Sequence, residues 1–251
     1  MTSHLVRHTD TEKWKRAQEF ELQFAKQTIA SGDDWNLWWQ VKFDNYNILT
    51  GLTFPNVLEV GCGPHTNVKF ILPQINFQRV YMEDPLLQFY VAHFIIEKKN
   101  PVERFKDLLL GRDQECNYLL KLFANLDIAV DLSSAKLEEL PYRDGVMDLV
   151  VCINVLDHVS DFDRCMYEIH RVLRKGWMLV LGQDLSNEED MRNCPESYVD
   201  IGHPIKVDHQ VLDDTLASGG YTELMRKVLP RAEGRNPTAH YGTYLGVFQK
   251  M

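Results

Sequence analysis

Val57-Leu-Glu-Val-Gly-Cys-Gly-Pro-His65 is the stretch on which the fold turns. A short apolar run enters a Gly-x-Gly turn directly, and a stretch of helical spacing follows through Leu72. That is a buried strand, a tight turn and a helix. Glycine lets the turn adopt φ > 0 and lets a ligand approach the main chain, and the helix start offers N–H groups without intrahelical partners. A dinucleotide-binding turn wants a third glycine three residues after the second, where Thr66 stands. Glu59 lies two residues before Gly61. A carboxylate there repels a pyrophosphate and attracts a cation; the alternative is that it accepts hydrogen bonds from loop amides.

Outward from this stretch, short apolar runs alternate with amphipathic ones. The runs are Val57–Val60, Arg79–Met82, Asp127–Val130, Met147–Ile153, Trp177–Gly182, Tyr221–Leu229 and Tyr241–Phe248. Helical patterns at His65–Leu72, Leu86–Lys98, Phe162–Leu173 and Asp208–Ala217 separate most of them. Such alternation implies βαβ units and a parallel sheet. Pro230–His240 is too short and polar for a crossover helix, so the last two runs pair antiparallel. The expectation is an α/β protein with seven strands, mostly parallel, and one reversed near the C-terminus. Residues 84–127 contain more helical pattern than one crossover needs, so an insertion leaves the carboxyl edge of the second strand, where open sheets bind ligands.

Upstream, residues 11–30 carry no Gly or Pro and read as one helix. After Ser31-Gly32 a second helix carries Trp35, Trp38, Trp39, Phe43 and Tyr46 at three- and four-residue spacing. At such spacing the tryptophans favour core packing over sugar stacking. The expected layout is an N-terminal helical cap over 1–50 and a main domain over 51–251 with the 84–127 insertion.

With 27 Lys+Arg against 36 Asp+Glu, the 251-residue chain has net charge −9, which argues against broad binding to nucleic acid or anionic membranes. Five cysteines without C-x-x-C spacing suggest neither a disulfide framework nor a zinc knuckle. The polar start lacks a signal-peptide core, and no apolar run reaches about 20 residues. A cytoplasmic protein is expected.

The glycine segment resembles the class I S-adenosylmethionine-dependent methyltransferases, whose motif [hydrophobic]-(Asp/Glu)-x-Gly-x-Gly matches Leu58-Glu59-Val60-Gly61-Cys62-Gly63. The resemblance extends from about Asn56 to the C-terminus and implies a Rossmann-like fold with S-adenosylmethionine as cofactor. Glu59, Gly61, Cys62 and Gly63 would cradle its methionyl part. Val80-Tyr-Met-Glu-Asp-Pro85 resembles the second-strand motif, placing Asp84 at the ribose with Glu83 as competitor. Leu137-Glu-Glu-Leu-Pro-Tyr142 resembles the loop at the adenine edge, so Lys136, Leu137 and Glu138 fall there; Lys136 stands where the family often has an acid. Asn154-Val-Leu-Asp-His-Val159 resembles the segment leaving the fourth strand, with Asn154 beside the cofactor's reactive end. Glu168-Ile-His-Arg-Val-Leu-Arg-Lys-Gly176 resembles the stretch before the fifth strand.

For the acceptor, the segment Asp200-Ile-Gly-His-Pro204, with Leu212, Leu216 and Gly220-Tyr221 beyond, resembles bacterial methyltransferases acting on glycans or related small molecules, pointing to polysaccharide biosynthesis. His203 is the first expected base, followed by His158, then His209 and His240; the alternative for His203 is ordering a proline-containing loop. Asp157, Asp184 and Asn187 have no metal-motif spacing, and no metal is expected. The expected partner is a small-molecule or glycan-linked acceptor, methylated on oxygen, with no nucleic acid and no membrane insertion. The rivals are a non-catalytic scaffolding subunit, a protein or nucleic-acid methyltransferase and a nicotinamide oxidoreductase.

Overall fold

The computed structural model describes residues 5–31, 34–90, 129–187, 201–235, 237 and 241–251. Seven strands form one sheet: β1 (Thr53–Val60), β2 (Asn76–Glu83), β3 (Ala129–Ser133), β4 (Met147–Ile153), β5 (Leu173–Leu185), β6 (Tyr221–Pro230) and β7 (Gly242–Lys250). Their order is β3-β2-β1-β4-β5-β7-β6. The pairs β1–β2, β1–β4, β2–β3 and β4–β5 are parallel, while β7 runs antiparallel to both β5 and β6. This is the mostly parallel sheet with one reversed C-terminal strand that the alternation of runs implied.

β4 explains the sheet's position: all seven of its residues are buried, as expected of a central strand covered on both faces. Successive side chains point to opposite faces, and the two cores divide accordingly. Val150 and Cys152 join Leu58, Val60, Phe162, Ile169, Leu181 and Leu212 on one side. Leu149, Val151 and Ile153 join Trp39, Phe43, Tyr46, Val57, Met82 and Val247 on the other. Truncating a fully buried leucine here, such as Leu58, costs about 2–5 kcal/mol.

The helices lying wholly within the described residues are α1 (Thr11–Ser31), α2 (Asn36–Lys42), α3 (Val68–Ile71), α4 (Phe162–Val172) and α5 (His209–Ser218). Asp161 and Asp208 cap α4 and α5 by accepting from the Arg164 and Val211 amides, the exchange that favours Asp at such positions. The second expected helix ends earlier than its aromatic stripe. α2 stops at Lys42, and Asp44, Asn45 and Tyr46 have positive φ within a 3₁₀ segment. Packing rather than helical continuity places the rings: Phe43 and Tyr46 stack at 5.1 Å beneath the sheet. The pattern over His65–Leu72 likewise forms only a short helix with a 3₁₀ turn after it, because Pro73 interrupts it.

The N-terminal segment is tied across the carboxyl edge of the sheet. Val6 bridges Lys206 and His8 bridges Asp161, and Arg7 pairs with Asp163. α1 follows and runs over the turn at the end of β1. Most of the expected 84–127 insertion lies outside the described residues.

Candidate functional site

At that edge a cavity of about 430 Å³ opens between α1 and the strand ends. Its size falls in the usual range for small-molecule pockets, ~300–1,000 Å³. Gly61, Cys62, Gly63, Asp84, Lys136, Leu137, Glu138 and Asn154 all line it, as do His158 and His203. Segments far apart in the chain therefore meet in one space.

The glycine turn sits where the strand register ends. Gly61 and Gly63 have φ of +59° and +56°. A Cβ at Gly61 would stand 2.5 Å from Val155 Cγ2, whereas one at Gly63 meets nothing within 4 Å. Gly61 thus permits close packing of the β1 turn on the segment leaving β4, and Gly63 leaves the cavity floor bare. The Cys62 amide donates to the Glu83 carbonyl at 3.1 Å, joining the turns after β1 and β2.

Glu59 is placed differently from the other expected cofactor residues. Its carboxylate lies beneath the turn, 1% exposed, and is not among the cavity-lining groups. It accepts from the Asn67 amide at 2.6 Å and from the Thr66 hydroxyl. Thr66 itself has positive φ, unusual for a β-branched residue. The two residues that depart from a dinucleotide turn are thus each other's partners. Burial pushes the Glu59 carboxyl up to about 7 against these hydrogen bonds.

Two carboxylates stand at the tip of β2. Asp84 accepts from the Gly63 amide at 2.9 Å and from the Leu86 amide at 2.8 Å, so it fixes the turn while facing the cavity; burial pushes it up to about 6. Glu83 accepts from the Tyr142 hydroxyl through Oε1, and its buried Oε2 makes no hydrogen bond. A ribose diol needs acceptors, and both acids offer them. Beyond β3, Lys136 lies 3.8 Å from the centre of the Trp14 ring, and Glu138 accepts from the Ser160 amide and hydroxyl at 2.7 and 2.6 Å. The side chains expected at the adenine edge thus serve the walls, and Leu137 supplies an apolar surface.

The opposite end is denser in charge. Asn154, at φ +58° after β4, donates its amide to the Gly182 carbonyl at 2.7 Å. With its side chain turned to satisfy both neighbours, it donates to Asp184 (3.2 Å) and accepts from Arg235 (3.0 Å). Arg235 also pairs with Asp184 at 3.2 Å and lies 4.8 Å from the centre of the Trp35 ring. His158 and His203 stand with ring centres 4.6 Å apart. Burial alone would push the His158 imidazole down; Asp157 and Glu21, with the Gly202 carbonyl, hold it above its ordinary value.

His203 thus lies where a base was expected, with His158 beside it. His209, the first residue of α5, instead makes a 3.0 Å contact with the Tyr241 hydroxyl and does not line the cavity, and His240 lies outside the described residues. Trp39 is core, packed over Gly182, and both Trp35 and Trp39 border the cavity. Two charged cavity residues escaped the sequence reading, Glu21 and Arg235. Glu21 sits on the row Trp14, Gln18, Glu21, Ala25 and Thr28 of α1, which lines the cavity. Their three- and four-residue spacing was available, but the row mixes polar and apolar groups and gives no amphipathic signal.

A family described as a methyltransferase domain matches residues 111–181, which reach from before β3 into β5. Over these residues the chain is similar to methyltransferase domains. The match begins after the glycine turn, whose part in the methyltransferase site rests on the geometry above. The sarcosine/dimethylglycine N-methyltransferase of Halorhodospira halochloris is 29% identical over 91 residues, covering 36% of this chain and 31% of that protein. The chain spans less than a third of the length of the curated relatives it matches. Among solved structures, the 4+2 cyclase SpnF aligns with TM-score 0.63 at 17% identity, covering 98% of both chains. N-methyltransferase NodS from Bradyrhizobium japonicum WM9, in complex with S-adenosylhomocysteine, aligns with TM-score 0.57 at 14% identity, covering 92% of this chain and 98% of that one. At these identities the structures share the methyltransferase fold.

The residues at the cavity fit the chemistry of S-adenosylmethionine, the cofactor that the sequence resemblance implies. Gly63 leaves open space at the floor, Glu83 Oε2 is a buried acceptor without a hydrogen bond, and Asp84 flanks both. No helix among the described residues is long and apolar enough to cross a membrane.

Proposed function

We propose that the protein transfers the methyl group of S-adenosylmethionine to a hydroxyl of a small-molecule acceptor, with a sugar or glycan-linked compound as the first class to test. One observation carries this reading: the glycine turn and the His158–His203 pair, backed by Asp157, open on the same cavity. The cofactor supplies an already activated methyl group, so the protein's work is alignment and removal of the acceptor's proton.

In this reading Gly61 and Gly63 shape the floor, Asp84 or Glu83 receives the ribose hydroxyls, and Leu137 flanks the adenine. Glu59 works indirectly, by holding the turn through Thr66 and Asn67. Asn154 borders the reactive end. His203 accepts the hydroxyl proton at a ring nitrogen, with Asp157 stabilising the resulting charge, and His158 is the alternate base. Phe20, Phe24 and Trp35 provide aromatic faces on the acceptor side, which suit the apolar faces of a sugar ring. Net charge −9 disfavours a nucleic-acid acceptor.

A nitrogen acceptor is the second reading, because N-methyltransferases stand among both the relatives and the structural neighbours. Such an acceptor needs no base when its amine is already neutral. The first experiment is calorimetric titration with S-adenosylmethionine and S-adenosylhomocysteine, followed by transfer of labelled methyl groups to hydroxyl and amine acceptors. Micromolar binding with label on a hydroxyl compound is the expected result. Label on amines alone would establish the second reading. Binding without transfer to any acceptor would point to non-methylating chemistry on this fold, and failure to bind by the folded protein would end the enzyme reading.

A further inference from the structure

We propose that Glu21, His158 and His203 form a binding site for a divalent first-row transition-metal ion at the acceptor end of the cavity. The three come from separate parts of the chain: α1, the segment after β4 and the segment before α5. One ligand atom from each lies within 4.8 Å of the other two. Two imidazoles and a carboxylate are the donor set that suits Mn²⁺, Fe²⁺ and Zn²⁺; Mg²⁺ and Ca²⁺ prefer oxygen alone.

The spacing carries the argument beyond proximity. His158 Nδ1 lies 2.8 Å from the Gly202 carbonyl, which favours the proton on Nδ1 and leaves Nε2 bare, the usual arrangement of a metal-binding histidine. That Nε2 lies 3.5 Å from Asp157 Oδ1, and His203 Nε2 lies 3.7 Å from Asp157 Oδ2. Glu21 Oε1 is 3.4 Å from His158 Nδ1, the protonated nitrogen, so Glu21 shares an ion with Nε2 only after its carboxylate rotates across the ring edge. The three ligand atoms, within 4.8 Å of one another, stand wider than the roughly 3.0–3.4 Å between neighbouring donors on one ion with bonds of ~2.1 Å, and side-chain rotation closes that difference on binding. A buried carboxylate, Asp157, and a half-buried one, Glu21, face two imidazoles and concentrate negative potential that a cation relieves. Asp184 does not belong to this group, being engaged with Arg235 and Thr243. No spacing in the sequence links Glu21 to the histidines, which is why the site emerges only once α1 lies across the sheet edge.

Binding of the ion stands on these side chains alone; its bearing on the reaction rests on the methyl-transfer reading. There the ion would polarise the acceptor hydroxyl and Asp157, beside both histidines, would receive its proton; His203 would be a ligand in the loaded enzyme and the base only without the ion.

The test uses the full chain, stripped by a chelator and checked for folding by circular dichroism. It is titrated with Mn²⁺, Co²⁺ and Zn²⁺ by calorimetry, with the visible spectrum of the Co²⁺ form recorded. The expected result is one ion per chain and d–d bands of a nitrogen- and oxygen-ligated Co²⁺. Glu21→Gln and His203→Ala should each weaken binding at least tenfold, while His209→Ala, away from the cavity, should not. No uptake by the folded wild-type chain, or full retention in a folded His158→Ala/His203→Ala double variant, would overturn the assignment. S-adenosylmethionine titration in parallel separates the two readings. Cofactor binding without ion uptake removes only the metal site, and ion uptake without cofactor binding removes only the methyltransferase.

Discussion

The glycine-turn end of the cavity draws its walls from a few contiguous stretches, 60–67, 83–86 and 135–138, held mainly by main-chain amides and turn geometry. The histidine end draws on Glu21, Trp35, Asp157, His158, His203 and Arg235, scattered from α1 to the loop after β6 and held by side chain on side chain. The first arrangement recognises a fixed ligand through backbone shape. The second allows substitution one side chain at a time without disturbing the sheet, as an acceptor-specific end requires. Variants at the two ends should therefore fail in different ways.

The largest effect is expected at the histidine end. His203→Ala should lower turnover by about 10²–10⁴, the range for loss of a general base, while calorimetry finds S-adenosylmethionine affinity unchanged. Near-normal turnover across the pH range would remove His203 from the chemistry. A parallel loss of cofactor affinity would erase the division between the two ends.

At the other end the expected loss is in binding. Gly61→Ala places a Cβ against Val155 at φ +59°, so cofactor affinity should fall about a hundredfold, or roughly 2.7 kcal/mol. Gly63→Ala meets no neighbour and carries only the left-handed backbone cost of about 1–2 kcal/mol. Its melting temperature should therefore fall less than that of Gly61→Ala. Equal losses of stability would show that backbone conformation, not the contact with Val155, makes Gly61 necessary.

The same contrast governs what the sequence reveals. Strands β1, β4 and β7 and the glycine turn are legible because their determinants are local: an apolar run, a break, a residue type that tolerates positive φ. The ends of α2 and α3 are less so, since burial of Phe43 and Tyr46 and the ring of Pro73 override the periodic pattern. His158 and His203 are visible as residues, yet their meeting is not, and Glu21 belongs to a helix whose pattern says only that it is a helix. The position of Glu59 beneath the turn depends on Thr66 and Asn67 folding back, which the spacing of the glycines does not encode.

Asp84 tests whether the turn end recognises the ribose through one acid or two. Asp84→Ala should weaken S-adenosylmethionine binding about tenfold, or roughly 1.4 kcal/mol, with Glu83→Gln having the smaller effect. The reverse order would assign the diol to Glu83, whose Oε2 is buried without a hydrogen bond. Asp84 would then serve chiefly to hold the Gly63 and Leu86 amides.

The smallest effect is on stability and belongs to Glu59. Its folded-state carboxyl lies at about 7 against an ordinary 4.5, so between these values the native state retains a proton that the unfolded chain has released. Stability from this group is then fully present below about pH 4.5 and is lost as pH rises through about 7. Asp84, pushed up to about 6, adds a slope of the same sign over a lower window. Glu59→Gln carries no proton to lose, so denaturant titrations at pH 5 and 8 should differ less than for the wild type. An unchanged slope would mean that the Thr66 hydroxyl and the Asn67 amide already hold Glu59 ionised, making it a charged prop under the turn rather than a neutral one.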